Sequence, residues 1–203
     1  MTPENIVSDV ANRDIEGWLT AELGRRAAPR AGRTRVVAVD GRSGSGKTSL
    51  AARLRSRLHA PVVTLEDLYG GWDGLERGID LLVSEVLEPL SAGRPARVPR
   101  YDWVAASWGA PWVLEPPEIL IVEGVGAGAR RAAAYESVLI WIESAASVRK
   151  KRALDRDGET FAAYWDMWAA QEDAMLARER TPDRADFVVT KPPPHPPSRP
   201  LLT

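Results

Sequence analysis

The sequence predicts an α/β fold: a parallel five-stranded sheet with helices on both faces and a short lid. Three observations predict it. Between residues 35 and 190, short apolar runs alternate with segments of helical period. Such alternation leaves parallel pairing through helical crossovers as the natural topology. The apolar runs are also nearly continuous, as in strands covered on both faces. Finally, glycines and serines crowd into residues 41–46, between one apolar run and one helical segment.

The elements follow in order. Residues 5–27 carry Ile6, Val10, Ile15, Trp18, Leu19 and Leu23 near helical spacing, which predicts an amphipathic helix packed on the core. Residues 1–33 are read as this N-terminal unit, with a break at 29–33. The main domain spans 34–190. Its first strand is 35–39, followed by a helix over 47–58 with Leu50, Leu54 and Leu58 four apart. A second strand covers 61–65. The helix at 75–90 aligns Ile79, Leu82, Val86 and Leu90 on one side. Strands at 118–122 and 137–142 come next, then helices at 147–156 and 159–180, with the lid near 149–158. A last strand covers 186–190. Six of the nine residues from 192 to 200 are proline, so the 191–203 tail is expected to be extended or disordered.

Composition excludes several classes. Twenty-seven basic residues against 28 acidic ones leave a formal charge of -1, so no global field favours nucleic acid or a membrane surface. The absence of cysteine rules out disulfides and thiolate metal sites. His59 and His195 are far apart in sequence and do not suggest a zinc site. No stretch reaches transmembrane length, and the first thirty residues carry charges throughout. A cytoplasmic protein is the expectation, with homo-oligomerisation left open.

Gly41, Gly46, Lys47 and Thr48 fit the pattern G-x-x-x-x-G-K-[ST]. Successive backbone N–H groups must turn inward around phosphate oxygens, which small residues permit. The loop from Gly41 through Ser43, Gly44, Ser45 and Gly46 supplies that backbone. The helix beginning at Lys47, with Thr48 and Ser49 in its first turn, points its positive end at the same anion. Lys47 can reach the β- and γ-phosphates, and the Thr48 hydroxyl can ligate Mg²⁺. A bare glycine-serine turn is the bland alternative, but the match sits after a strand and before a helix, where this P-loop must sit. The chain has no N-K-x-D segment to read guanine, and it is small for a motor, which leaves small-molecule kinases.

Two acidic positions extend the site. Glu66 and Asp67 follow the second strand, where parallel α/β sheets bind ligands. Phosphoryl transfer needs a carboxylate there to orient or deprotonate the attacking hydroxyl, or to hold Mg²⁺ through water. The run "ILIVEG" ends on Glu123, the pattern of a buried strand delivering an acid to a metal. Trp103, Trp108 and Trp112, interleaved with proline and glycine, suggest a pocket wall over a regular core element.

The chain resembles the uridine kinase and phosphoribulokinase-type family of P-loop kinases. More narrowly it is similar to small actinobacterial uridine kinase-like proteins. "GRSGSGKTSLA" resembles their phosphate loop, and "EDLYGGWDGL" resembles the segment read as D-D-x-Y or D-S-F-Y, whose first acid is the catalytic base. That register implies Glu66 as base, with Asp67 retained beside it because glutamate replaces the family's aspartate, and it implies Tyr69 as a border of the acceptor pocket. "VPRYDW" resembles V-P-x-Y-D-F, implying acceptor contacts from Tyr101 and Trp103; Ala106 stands where the family has histidine. "RKKRALDRD" resembles the lid helix, and implies that Arg152 and Arg156 contact ATP phosphates.

Arg149, Arg152 and Arg156 also share one helical face by spacing, and a transition state of phosphoryl transfer needs movable cations. Trp165, Trp168 and Met175 read as a core stripe, with Glu172 or Asp173 able to touch the lid. The expected function is an ATP- and Mg²⁺-dependent phosphotransferase acting on a hydroxyl of a small metabolite, a nucleoside such as uridine or cytidine. Two alternatives stay open. One is a nucleoside monophosphate kinase, with Arg94, Arg97 and Arg100 as acceptor-phosphate contacts. The other is a non-catalytic ATP-binding regulatory protein.

Overall fold

The computed structural model describes residues 4–7, 17, 20–21 and 28–190. Its main sheet is parallel throughout. All five predicted strands are present: β2 (Arg35–Asp40), β3 (Val62–Thr64), β8 (Ile119–Glu123), β9 (Glu136–Glu143) and β10 (Phe187–Thr190). A sixth, β1 (Glu4–Val7), pairs in parallel with β10 at the edge. This corrects the reading of a helix from residue 5: four residues with two apolar members satisfy a strand as well as one helical turn, and an open sheet edge decides. Most of the remaining predicted N-terminal helix, and the 191–203 tail, lie outside the described residues.

The strand order is β1-β10-β9-β2-β8-β3. β2 therefore lies between β8 and β9: the crossover from β2 leads to the β3 side of the sheet, and the one from β8 passes to β9 on the other side. That is the switch point at which open α/β sheets leave a crevice at their carboxyl ends. Burial follows the pleat. Val37 and Val39 of β2, Ile121 of β8, and Ile140 and Ile142 of β9 face α1 (Lys47–Leu58), against Leu50 and Leu54. Val36, Ala38, Leu120, Val122, Leu139 and Trp141 face the opposite way, into the larger core. Apolar side chains on both faces are what made these runs continuous in sequence.

The larger core is closed by the helical run at 75–91. It begins as α2 (Leu75–Leu81), widens into a π-helical stretch (Leu82–Leu87) and ends as α3 (Glu88–Ser91). Pro89 has no N–H and would clash with the carbonyl four residues back, and the wider turn precedes it. α4 (Ala146–Ala162) contains one non-helical residue, Gly158, with φ 63° and ψ -149°. α5 (Trp165–Glu179) follows after a two-residue turn, so the predicted single helix over 159–180 is divided. α6 (Thr181–Arg184) leads into β10. Two small antiparallel pairs lay outside the sequence reading: β4 (Ala96–Val98) with β7 (Trp112–Leu114), and β5 (Tyr101–Asp102) with β6 (Ser107–Trp108). At two or three residues each, they are too short to show a period.

Glu136, at the start of β9, is buried, and its Oε1 has no hydrogen-bond partner among the described residues. Burial pushes its carboxyl up to about 8, the Arg184 guanidinium opposing and Asp40 and Asp186 adding to the rise. The folded chain thus keeps a proton that an unfolded carboxyl near 4.5 would release. Stability contributed this way falls as pH rises between those two values. Glu136→Gln cannot ionise, so its melting temperature should fall less between about pH 5 and about pH 8 than the wild type's. Parallel melting curves at the two pH values would remove this assignment.

Candidate active site

β2 ends on Asp40, whose buried carboxylate accepts N–H bonds from Gly41 (2.6 Å), Gly126 (3.0 Å) and Gly128 (2.9 Å). Burial raises this carboxyl to about 6, and the three N–H groups with the Lys47 ammonium hold it back from rising further. The chain then turns through Gly41, Gly44 and Gly46, all at positive φ. Gly44 has a second reason to be glycine: a Cβ there would lie 2.1 Å from the Arg149 carbonyl oxygen. Gly46 is the N-cap of α1 at φ 98° and, having no side chain, leaves the first turn without a side-chain cap. Those N–H groups are the anion-binding feature of such a loop.

Lys47 is buried, its Nζ donating to the Arg42 carbonyl at 3.2 Å, so the ammonium arches over the loop. Thr48 Oγ1 donates to Glu123 Oε1 at 3.2 Å, and Thr64 Oγ1 donates to the same oxygen at 3.0 Å. The cause is register: Glu123 closes β8, opposite Val39 of β2 and Thr64 of β3. Burial pushes the Glu123 carboxyl up, while Lys47 and the two threonine hydroxyls oppose the rise. Ser45 lies fully buried within the loop, and Ser49 is exposed on α1.

β3 stops at Thr64, and Leu65–Asp67 form a 3₁₀ turn in place of a continuing strand. Successive side chains therefore diverge by roughly 120°. Leu65 enters the core, and Glu66 reaches the cavity beside the P-loop while Asp67 does not line it. Partial burial raises the Asp67 carboxyl, the Arg100 charge pulling against it and Glu66 adding to it. Glu66 makes an ion pair with Arg156 at 3.4 Å, and its carbonyl accepts the Trp103 indole N–H at 3.0 Å.

The cavity has a volume of about 340 Å³. Ser43, Gly44, Lys47 and Thr48 form its P-loop end; Tyr69, Trp72, Trp103, Phe161 and Trp168 form an aromatic wall. Tyr69 is buried, and its hydroxyl donates to the Val125 carbonyl at 2.9 Å. Tyr101 stays outside, edge-on to Trp103 and Trp108. Trp72 stacks on Phe161 with an interplanar angle of 14°. Arg94, Arg97 and Arg100 do not line this cavity.

The three arginines of α4 divide by depth. Arg149 is buried against the P-loop: Nε donates to the Ser144 carbonyl at 3.1 Å and one terminal nitrogen to the Ser43 carbonyl at 3.3 Å. Burial lowers its pKa, with the nearby Arg42 charge acting the same way. Arg152 donates to Ser144 Oγ at 3.5 Å and does not line the cavity, whereas Arg156 does. The N–H of Ser43, expected to face a phosphate, is instead donated to Glu172 Oε1 at 2.8 Å. Trp72 and Phe161 were not singled out from sequence as site residues, and Glu172 was named only as able, like Asp173, to touch the lid. Glu172 had a signal: it sits four residues after Trp168 and three before Met175, a carboxylate on an otherwise apolar helix face.

A Gly-x₄-Gly-Lys-Thr loop leaving the central strand of such a sheet, with an acid ending the neighbouring strand, defines the P-loop NTPase fold. Solved structures share this architecture. A protein named as a possible uridine kinase, from Bacillus stearothermophilus, is 21% identical with a TM-score of 0.64, covering 89% of this chain and 100% of that one. One from Silicibacter sp. TM1040, named as a candidate fructose transport system kinase, is 20% identical with a TM-score of 0.54, covering 87% and 98%. At these identities the likeness establishes the fold. No protein-family model and no curated protein matches the chain.

The Gly44–Arg149 approach is testable against Gly93, which also has positive φ but nothing within 4 Å of where a Cβ would sit. Both alanine variants carry the left-handed backbone penalty of about 1–2 kcal/mol. Gly44→Ala should lower the melting temperature clearly further, because it also collides with backbone. Equal losses in thermal melts would show that the loop moves aside freely.

Proposed function

We propose that the protein is an ATP-dependent phosphotransferase that phosphorylates a hydroxyl of a small metabolite, a nucleoside such as uridine or cytidine. The observation that carries this reading is one cavity lined by the P-loop, by Thr48 hydrogen-bonded to the buried Glu123, and by the Glu66 carboxylate beside an aromatic wall. The triphosphate lies along the loop and the start of α1. Glu66 takes the proton from the acceptor hydroxyl and aligns its oxygen with the γ-phosphate. Lys47 and Arg156 meet the negative charge on the transferring phosphoryl group. The aromatic side chains receive the flat part of the acceptor and exclude water.

The residues fit a bound magnesium ion. Among the described residues no cluster of three acidic or histidine side chains could hold a metal unaided. Mg²⁺ characteristically takes one or two protein ligands and completes its shell with phosphate oxygens and water. Thr48 and Glu123 would hold it, Thr64 orients Glu123, and Glu66 can contribute through water. The ion would neutralise charge on the β- and γ-phosphates.

Acceptor-stimulated ADP release across nucleosides, vitamins and sugars tests the reading. Stimulation by a hydroxyl-bearing compound supports it, and stimulation only by monophosphates overturns it. Lys47→Ala should lower turnover by on the order of a hundredfold to a thousandfold with the fold intact. Turnover near the wild-type rate would remove the P-loop from the chemistry. Glu66→Gln should cost about a hundredfold or more, and Asp67→Asn should be much milder. An inactive Asp67→Asn beside an active Glu66→Gln would move the base by one residue.

A further inference from the structure

All three polar atoms of Ser43, at the tip of the P-loop, are held by α4, which carries the lid segment, and by α5, which follows it. Its N–H is accepted by Glu172 of α5 at 2.8 Å. Its Oγ accepts the Trp168 indole N–H, also of α5, at 2.9 Å. Its carbonyl accepts from Arg149 of α4 at 3.3 Å. Glu172 is 1% exposed, and its second oxygen accepts Arg42 Nε at 3.0 Å. Arg42 is steadied from outside by Asp173 at 2.7 Å. A buried carboxylate beside a phosphate-binding loop is electrostatically the wrong sign for its neighbour. Something other than charge must explain its place.

We propose that Glu172 is a positioning residue for nucleotide binding: by accepting the Ser43 N–H and the Arg42 guanidinium, it locks the loop tip so that the following N–H groups converge on the phosphates. The proposal rests on the reading of the loop as a nucleotide site. The geometry supports it in two ways. Glu172 is itself fixed, by the Trp168 N–H at 3.1 Å and by Arg42, so it cannot swing away without breaking three bonds. Nor can the loop tip shift towards α4, because Gly44 already lies against the Arg149 backbone. α5 and α4 therefore grip the tip from two sides, and the loop is organised before nucleotide arrives. The structural consequence is that Ser43 belongs to the scaffold of the site, although its sequence position suggests a phosphate contact.

The sign of the effect tests this. If Glu172 acted through charge alone, or filled the place of a phosphate, removing it would tighten binding. If it positions the loop, removing it must weaken binding in spite of the lost negative charge. Calorimetric titration of the full chain with the Mg²⁺ complex of a non-hydrolysable ATP analogue reads this directly. Glu172→Ala should raise Kd by about tenfold or more, because it leaves the half-buried Ser43 N–H without its acceptor. Glu172→Gln keeps an oxygen for Ser43 and Trp168 but turns an N–H donor toward Arg42, so its Kd should fall between those of Glu172→Ala and the wild type. In turnover, KM for ATP should rise more than kcat falls. Glu179→Ala is the control for general loosening: Glu179 lies on the same face of α5 but accepts the Arg130 N–H at 2.8 Å, away from the loop. It should lower the melting temperature and leave Kd within about twofold.

An unchanged or tighter Kd in Glu172→Ala overturns the proposal, as does equal weakening in Glu179→Ala. If Glu172→Ala does not fold, Glu172→Gln decides: unchanged or tighter binding there overturns positioning, and weaker binding supports it. A wild-type protein that binds no nucleotide overturns the nucleotide-site reading itself, and this proposal with it.

Discussion

The buried carboxylate of Asp40 is the interaction on which the site depends. It ends the central strand where the chain must leave the sheet, and three glycine N–H groups converge on it. Two of those donors belong to the loop after β8, so one side chain ties together the exits of two neighbouring strands. A buried carboxylate is costly unless satisfied; here N–H donors on both loops satisfy it. The P-loop begins at the next residue, and Glu123 ends the neighbouring strand. Their relative placement is therefore set by β-sheet register and by this one acceptor, with no contribution from flexible side chains.

From that point the site becomes progressively softer. Glu123 is buried and holds two threonine hydroxyls, so its position is determined by backbone. Glu66 stands on a 3₁₀ turn, half-exposed, and faces Arg156 from α4. If the proposed function holds, an incoming phosphate would compete for Arg156 and an acceptor hydroxyl would compete for Glu66. Such an exposed pair contributes little to stability by itself, which suits groups that must change partners. On that reading the rigid part of the site would meet phosphate and the exchangeable part the acceptor.

α5 joins these two parts. Its buried face presents Trp168, Glu172, Met175 and Glu179 in succession. Trp168 lines the cavity and packs edge-on to Tyr69 at 4.9 Å while donating to Ser43. One tryptophan thus belongs to the core, the aromatic wall and the loop support. Gly158, with open space around its missing Cβ, lies between Arg156 and Phe161. The non-helical residue thereby separates the lid cation from the aromatic wall within a single helix.

The sequence alone determined the layered parallel sheet, because strands buried on both faces have to be apolar throughout and their helices have to alternate with them. It also determined the phosphate loop, since a bare backbone followed by lysine and threonine answers one physical demand within eight neighbouring residues. The place of Glu123 was legible too: a charge that closes a buried apolar run marks the carboxyl end of a strand. What only the tertiary structure decided involves residues distant in sequence or elements too short to have a period. Glu66 rather than Asp67 meets the cavity because the strand stops at Thr64 and a 3₁₀ turn follows, which no alternation rule anticipates. Trp72 and Phe161 join one wall although they are far apart along the chain. Residues 4–7 form a strand because an edge of the sheet offers them partners. Glu172 reached the P-loop from more than a hundred residues away, and its one local mark was a carboxylate on an apolar helix face. Periodicity records which face is buried; what that face is buried against depends on packing between elements, and packing is what the sequence does not spell out locally.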